Sequence, residues 1–269
     1  MTQNVFDSTM ADRIAVVTGA TAGIGYETVK RLVGHGCSVI ANGRREDRLR
    51  DLVLEFSPEC VATVRGDTAD QAVVGEMFDA ARETFGDGAR EADLVVVNAG
   101  RGLKGSVVDS DTAQWEEMIR TNLLGAALVV RHAALRMIAD LERLSSRGAS
   151  WRDRPHDIVV IGSTVGRHVS PFSSMYGSTK FGLHGLVEGA RRELGPKGIR
   201  VTLVEPGFVR SEFQGVAGYD PAWFTGVVDR IGPVLEPADV VRALMSAITQ
   251  PPWVHFNDIV LRPTRQDYP

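Results

Sequence analysis

The chain has 269 residues, 43% hydrophobic, 7% aromatic and 24% charged, with 28 Gly and 12 Pro, a composition that fits a globular enzyme and excludes a disordered or fibrous protein. Thirty basic against 34 acidic side chains give a formal net charge of −4, so no general excess of cations is available for phosphates and no nucleic-acid partner is expected. Cys37 and Cys60 each sit in an apolar stretch without zinc spacing; two buried thiols of a reducing compartment and no metal site are expected.

Residues 1–12 are polar and lack the basic-then-apolar pattern of a leader, and the densest apolar run, 123–130, is too short to span a bilayer. A cytoplasmic protein without a membrane partner is expected. Seven short β-branched runs follow at 14–17, 38–41, 61–64, 94–97, 158–161, 201–204 and 259–261. Between them, apolar residues recur at helical spacing, as at Thr28, Val29, Leu32 and Val33 or at Leu49, Leu52, Val53 and Phe56. Such alternation predicts an α/β fold: a single doubly wound, Rossmann-type domain over 1–269, with a seven-stranded, mostly parallel sheet covered by helices on both faces. Ligands of such sheets bind at the carboxyl ends of the strands. Two stretches break the rhythm. Residues 145–157 are polar and turn-rich and read as a surface insertion. Residues 208–237 lack steady periodicity and follow a strand's carboxyl end, which suits a substrate lid as well as a plain insertion.

The first strand runs into Thr18-Gly19-Ala20-Thr21-Ala22-Gly23-Ile24-Gly25 and then a helical pattern. Glycines between a strand and a helix let backbone N–H groups approach a pyrophosphate, although tight turns also want glycine. At the end of the second strand the chain reads Asn42-Gly43-Arg44-Arg45 with no carboxylate. An acidic group there suits the ribose hydroxyl of NAD and an arginine the extra phosphate of NADP, so NADP(H) is expected, with Arg44 the first phosphate ligand and Arg45 the second.

Tyr176 and Lys180 lie four apart at the start of a helix whose apolar stripe continues through Leu183, Val187, Ala190 and Leu194. A lysine on a core-facing stripe is costly without partners, and an ammonium beside a phenol favours the phenolate. Ser163 ends the fifth strand, where it could bond a substrate oxygen or simply cap a turn. Asn122 lies on the stripe of Trp115, Met118, Ala126, Val129 and Ala133 and needs buried partners.

Taken together, Gly-xxx-Gly-x-Gly after the first strand, Asn98-Ala99-Gly100 after the fourth, Ser163 with Tyr176-xxx-Lys180, and Pro206-Gly207 followed by Val209 and Ser211 resemble the short-chain dehydrogenase/reductase family. The resemblance spans nearly the whole chain. It implies a catalytic tetrad of Asn122, Ser163, Tyr176 and Lys180. It also implies cofactor contacts from Thr18, Gly19, Thr21, Gly23, Ile24, Gly25, Arg44, Arg45, Asp67, Thr68, Asn98, Ala99, Gly100, Tyr176, Lys180, Pro206, Gly207, Val209 and Ser211. Asn98 and Gly100 could equally shape a turn, and Asp67 could cap the helix that follows.

A narrower resemblance, through Gly43-Arg44-Arg45, Glu205-Pro206-Gly207, Glu212-Phe213 and the tail Arg262 to Tyr268, is to NADP-dependent 3-hydroxy acid (serine) dehydrogenases. It implies a small-molecule alcohol or carbonyl substrate, such as a short 3-hydroxy acid or a semialdehyde. Residues 145–157 and the Arg167-His168 pair depart from that subgroup. A bulkier substrate under Trp223 and Phe224, in a dedicated biosynthetic pathway, is the alternative, and a non-catalytic nucleotide-binding scaffold is a third. Arg101, Arg167 and Arg210 are candidate partners for an acidic substrate; His168 either lines the pocket with Arg167 and Met175 or is a solvated loop residue. His35, His132, His184 and His255 read as surface or packing residues. The family implies a homo-oligomer, tetramer or dimer, and Gly182, Gly185 and Gly189 would let another helix approach closely or pack within the subunit.

Overall fold

Residues 10–168 and 170–268 are described by a computed structural model, so most of the polar opening stretch 1–12 lies outside the described residues. Each of the seven β-branched runs is a strand: β1 (Ile14–Val17), β2 (Ser38–Gly43), β3 (Val61–Arg65), β4 (Leu94–Val97), β5 (His156–Ile161), β6 (Ile199–Pro206) and β7 (Asp258–Leu261). They form one sheet in the order β3-β2-β1-β4-β5-β6-β7, and every neighbouring pair is parallel. β1 and β4 are buried along their whole length, as continuous apolar runs are when helices cover both faces. Because side chains alternate along a strand, Ile14 and Val16 pack on one face with α3 (Gln71–Ala80), α5 (Ala126–Ser146) and α6 (Ser174–Leu194). Ala15 and Val17 pack on the other with α1 (Gly23–Gly34), α2 (Glu46–Phe56) and α9 (Pro237–Ile248). The order of strands reverses between β1 and β4, which opens a crevice above their carboxyl ends.

α4 (Trp115–Ile119) continues through a π-helical turn, Arg120–Gly125, into α5. The resulting stretch Thr112–Ser146 is long and apolar enough to cross a membrane by length and composition alone. Here Ala126, Val129, Ala133 and Met137 of that stretch are core residues under the sheet. Of Gly182, Gly185 and Gly189 on α6, the first faces Leu123 within the subunit, and among the described residues nothing lies within 4 Å of a Cβ placed on the other two.

The irregular stretches are more ordered than their sequences suggest. α5 runs to Ser146 and β5 starts at His156, so the expected insertion 145–157 reduces to residues 147–155. Within 208–237 lie α7 (Phe213–Val216) and α8 (Pro221–Ile231). The carboxylate of Asp220 caps α8 by accepting from Ala222 N at 2.9 Å, and Pro221 fills its first turn. Val227, Ile231 and Val234 form a small cluster of their own with Phe208 and Phe224.

At the amino ends of the strands, away from the crevice, five charged side chains meet. Arg13, just before β1, contacts Asp93 and Asp157, each at 2.8 Å, and all three are nearly fully buried. Arg200 holds Asp157 in a two-pronged bond of 2.6 and 2.9 Å and spends its remaining donors on the carbonyls of Ile248, Gln250, Pro251 and Val254. Arg154 pairs with Asp93 from the rim. Both cysteines are unbridged: Cys37 is buried, with its thiol pushed up to about 12 by burial, whereas Cys60 is only half-buried.

Candidate active site

A cavity of about 880 Å³ follows the crevice from Arg44 and Arg45 at one end to Ser163, Tyr176 and Lys180 at the other. Its floor is the glycine turn after β1. Gly19 and Gly23 hold φ of +63° and +55°, in the left-handed region where a side chain would be strained. Gly25 has no room for a Cβ, which would lie 2.1 Å from the carbonyl oxygen of Gly19. α1 then begins at an end that no side chain caps and whose first turn carries no acidic residue. Gly23 and Ile24 of that turn line the cavity, so amide donors and the positive end of the helix are left for an anion. The turn is stapled to β4: Thr18 Oγ1 accepts from the N–H groups of Asn98 and Ala99 at 2.9 and 3.0 Å, and Asn98 Nδ2 donates to the carbonyls of Thr18 and Gly19.

At the far end of β2, Arg45 donates to Thr21 Oγ1 and O at 3.0 and 3.1 Å and pairs with Glu212 at 2.7 Å. Arg44 pairs with Glu117 at 3.2 Å, and both arginines line the cavity. Asp67 does not cap α3, whose N-cap is Asp70; its Oδ1 closes a turn by accepting from Ala69 N at 2.9 Å, and it lines the cavity beside Thr68.

Tyr176 and Lys180, one turn apart on α6, are 8% and 6% exposed. Lys180 Nζ donates to the carbonyl of Ile161, the last residue of β5, at 2.9 Å and lies 6.0 Å from the centre of the Tyr176 ring. Ser163, two residues beyond Ile161, accepts from Val165 N at 3.3 Å, so it does cap a turn. It also lies close enough to the Tyr176 hydroxyl to lower its pKa. Burial raises the Tyr176 phenol above its ordinary value and outweighs the lowering from nearby Ser163. Burial also brings the Lys180 ammonium down to about 8. The expected phenolate is therefore not favoured in the protein alone: desolvation opposes charge on both groups. Asn122 is nearly fully buried in the π-helical turn. Its Oδ1 accepts from Arg101 N at 2.8 Å, and its Nδ2 donates to Arg101 O and Thr179 Oγ1 at 2.9 and 3.0 Å. A Cβ on Gly100 would sit 3.3 Å from Asn122 Oδ1 and 3.8 Å from Lys180 Nζ, so both polar groups border one small space.

Of the residues expected from sequence, Thr18, Gly25 and Asn122 stand behind the wall, and the others form it. Three further candidates lie elsewhere. Arg167 is bound to Glu205 and Asp258, Arg210 to Glu236, and His168 is exposed away from the cavity. Met175 packs under Tyr176 with Leu103 and Met118. Arg101 does line the cavity, with its guanidinium engaged by Glu117 and Gln114. Sequence reasoning missed Phe172, Phe213, Tyr219, Arg230 and Gln266. The Phe213 ring lies 5.6 Å from that of Tyr176, and Gln266 Oε1 accepts from Phe208 N beside Gly207. An aromatic-rich segment following a Pro-Gly loop was the available signal for the first.

A phosphate-receiving turn at the strand-order reversal, with a buried Ser–Tyr–Lys cluster along the same cavity, is the arrangement of an α/β oxidoreductase that works with a nucleotide. Comparison with known proteins narrows this. Residues 13–220 match the short chain dehydrogenase family, and the chain belongs to it. An uncharacterized oxidoreductase of Staphylococcus aureus is 32% identical over 254 residues, covering 94% of this chain and 98% of the relative. Among solved structures, the closed form of serine dehydrogenase complexed with NADP+ superimposes with a TM-score of 0.79 at 30% identity, covering 95% of this chain and 96% of the other. An alcohol dehydrogenase from Thermococcus sibiricus complexed with 5-hydroxy-NADP gives 0.75 at 27% identity, with 96% and 99% covered.

Proposed function

We propose that the protein is an NADP(H)-dependent oxidoreductase that interconverts an alcohol and a carbonyl. The observation that carries the reading is the buried Tyr176 side chain, with Ser163 beside it and Lys180 one helical turn away, at the end of a cavity whose other end suits a nucleotide. A bound nicotinamide supplies or takes up the hydride. The chain handles the proton: Ser163 donates to the carbonyl oxygen, and the Tyr176 phenol, kept protonated by burial, is the acid in reduction. Lys180 holds its ammonium beside the phenol and stabilises the negative charge left on Tyr176 Oη after transfer. Asn122 fixes the Arg101 backbone and Thr179 behind them.

NADP(H) rather than NAD(H) is supported by two arginines and no carboxylate at the end of β2, and by the cofactors named for the serine and alcohol dehydrogenases above. Removing both cations with Arg44→Ala and Arg45→Ala is expected to weaken NADPH binding roughly 10- to 100-fold, the value of one or two charged hydrogen bonds, with NADH nearly unchanged. Fluorescence titration of both cofactors measures this, and equal losses for the two would contradict the assignment.

For the substrate, the wall facing Tyr176 favours the bulkier carbonyl. Phe172, Phe213, Tyr219, Trp223 and Phe224 line it, and the cations there, Arg101 and Arg230, already hold Glu117 and Asp267. Similarity to serine dehydrogenase supports a short 3-hydroxy acid as the second reading, with Arg101 the group to meet its carboxylate. An NADPH oxidation assay with aryl and long-chain ketones and aldehydes, against serine, 3-hydroxypropionate and 3-hydroxyisobutyrate run with NADP, separates them. Higher kcat/KM on the apolar carbonyls is the expected result; preference for the acids reverses the choice.

A further inference from the structure

Behind the Ser163 turn lies a second group of charged residues that the proton chemistry does not use. Glu205, near the end of β6 and directly before Pro206-Gly207, has a fully buried carboxylate. Arg167 grips it with both prongs, Nε and Nη2 at 2.6 Å each, and reaches Asp258 of β7 at 3.2 Å. His184 Nδ1 lies 3.6 Å from the same carboxylate. The His184 ring fills the space beside Gly162 and Gly166, where a Cβ would come within 2.7 and 2.3 Å of it. The turn that bears Ser163, between Gly162 and Arg167, is thus gripped at its end by Glu205 and backed by a residue one turn beyond Lys180 on α6.

We infer that Glu205 is a positioning residue: through Arg167 it holds the Ser163 turn at the distance from Tyr176 that proton transfer needs. The inference rests on the proposed function for what the positioning serves. The energetics favour a dedicated role. A buried carboxylate is costly to desolvate, and an apolar pair of like volume would hold the strands together about as well. What an ion pair adds is direction, because the planar guanidinium fork accepts the carboxylate in one orientation. Fixing a turn at its far end matters because a displacement of about 1 Å at a reacting group can cost about 100-fold in rate.

Arg167→Met alone would leave the Glu205 carboxylate buried without its partner and is expected to unfold readily. The informative variant is therefore Arg167→Met with Glu205→Gln, which removes both charges together. Expected are a melting temperature close to that of the parent and a kcat lower by about 10- to 100-fold. KM for NADPH should stay within about twofold of the parent value, which a general structural defect would not spare. Amide hydrogen exchange is expected to speed up about tenfold at Val165–His168 and not at β4. Arg167→Lys, which keeps the charge and loses the fork, should recover stability without recovering kcat. A double variant with the parent's kcat overturns the proposal. If the parent reduces no carbonyl at all, the oxidoreductase reading falls, and exchange alone decides: unchanged amides overturn the positioning role, and faster ones sustain it.

Discussion

Tyr176→Phe is expected to lower kcat by about 10²- to 10⁴-fold, the usual worth of a positioned acid or base, while NADPH binding and the melting temperature change little. The ring is the part that packs: it sits against Phe213 and belongs to the cluster of Leu103 and Met118, and Phe keeps all of that. The substitution deletes the hydroxyl beside Ser163 and nothing else. Lys180 keeps its bond to Ile161 O, so the backbone end of β5 stays in place. Steady-state kinetics on the best carbonyl, with a fluorescence titration of NADPH on the same sample, reads both quantities. Turnover within a few-fold of the parent would remove Tyr176 from the proton path and the proposed mechanism with it.

The second large effect is on stability and sits at the opposite edge of the sheet. Asp157→Asn leaves Arg13 and Arg200 facing a neutral amide in a site where Asp157 is 2% exposed. Breaking one partner out of a buried ion network costs about 3–5 kcal/mol, which for a chain of this size lowers the melting temperature by roughly 10 °C. Burial alone would raise the Asp157 carboxyl, but the charges of Arg13 and Arg200 outweigh it and hold the group below the ordinary carboxylate range. A depressed folded value contributes stability that is fully present above the unfolded carboxylate value, about pH 4, and is lost as pH falls through the folded one. Urea unfolding of parent and variant should therefore differ most near neutrality and converge in acid. A gap that persists unchanged at pH 3 would place the loss in packing rather than in charge.

The layout of the sheet was legible because each of its strands is a short β-branched run, and Tyr176 and Lys180 because helical spacing sets both on the stripe of Leu183 and Val187. Local patterns carry such information. The base of the sheet was not legible, since Asp157 meets Arg200 only through the parallel register of β5 and β6, across 43 positions of chain. Arg167 misled for the same reason. Its proximity to Ser163 in sequence suggested a substrate partner, whereas its carboxylates come from Glu205 and Asp258 on two later strands. α8 went unread because Gly226 blurs its periodicity, although Asp220-Pro221 is a recognisable start signal. Among the candidate site residues, the glycine turn and Pro206-Gly207 were readable as loops that bring backbone to a ligand. The aromatic wall joins Phe172, just before α6, to Phe213 and Tyr219 of 208–237, a meeting across the chain that no local pattern carries.

The pairs Arg44–Glu117 and Arg45–Glu212 bear on how the nucleotide end of the cavity responds to its medium. Both guanidinium groups already have a carboxylate, so the phosphate of the proposed NADP(H) would substitute for an existing partner instead of meeting a bare cation. Added electrolyte weakens the departing bond and the arriving one alike, and the two effects offset each other. Affinity for such a phosphate would in consequence be buffered against ionic strength. Glu212 stands immediately before α7, and such a substitution at Arg45 would free it from the β2 side of the groove.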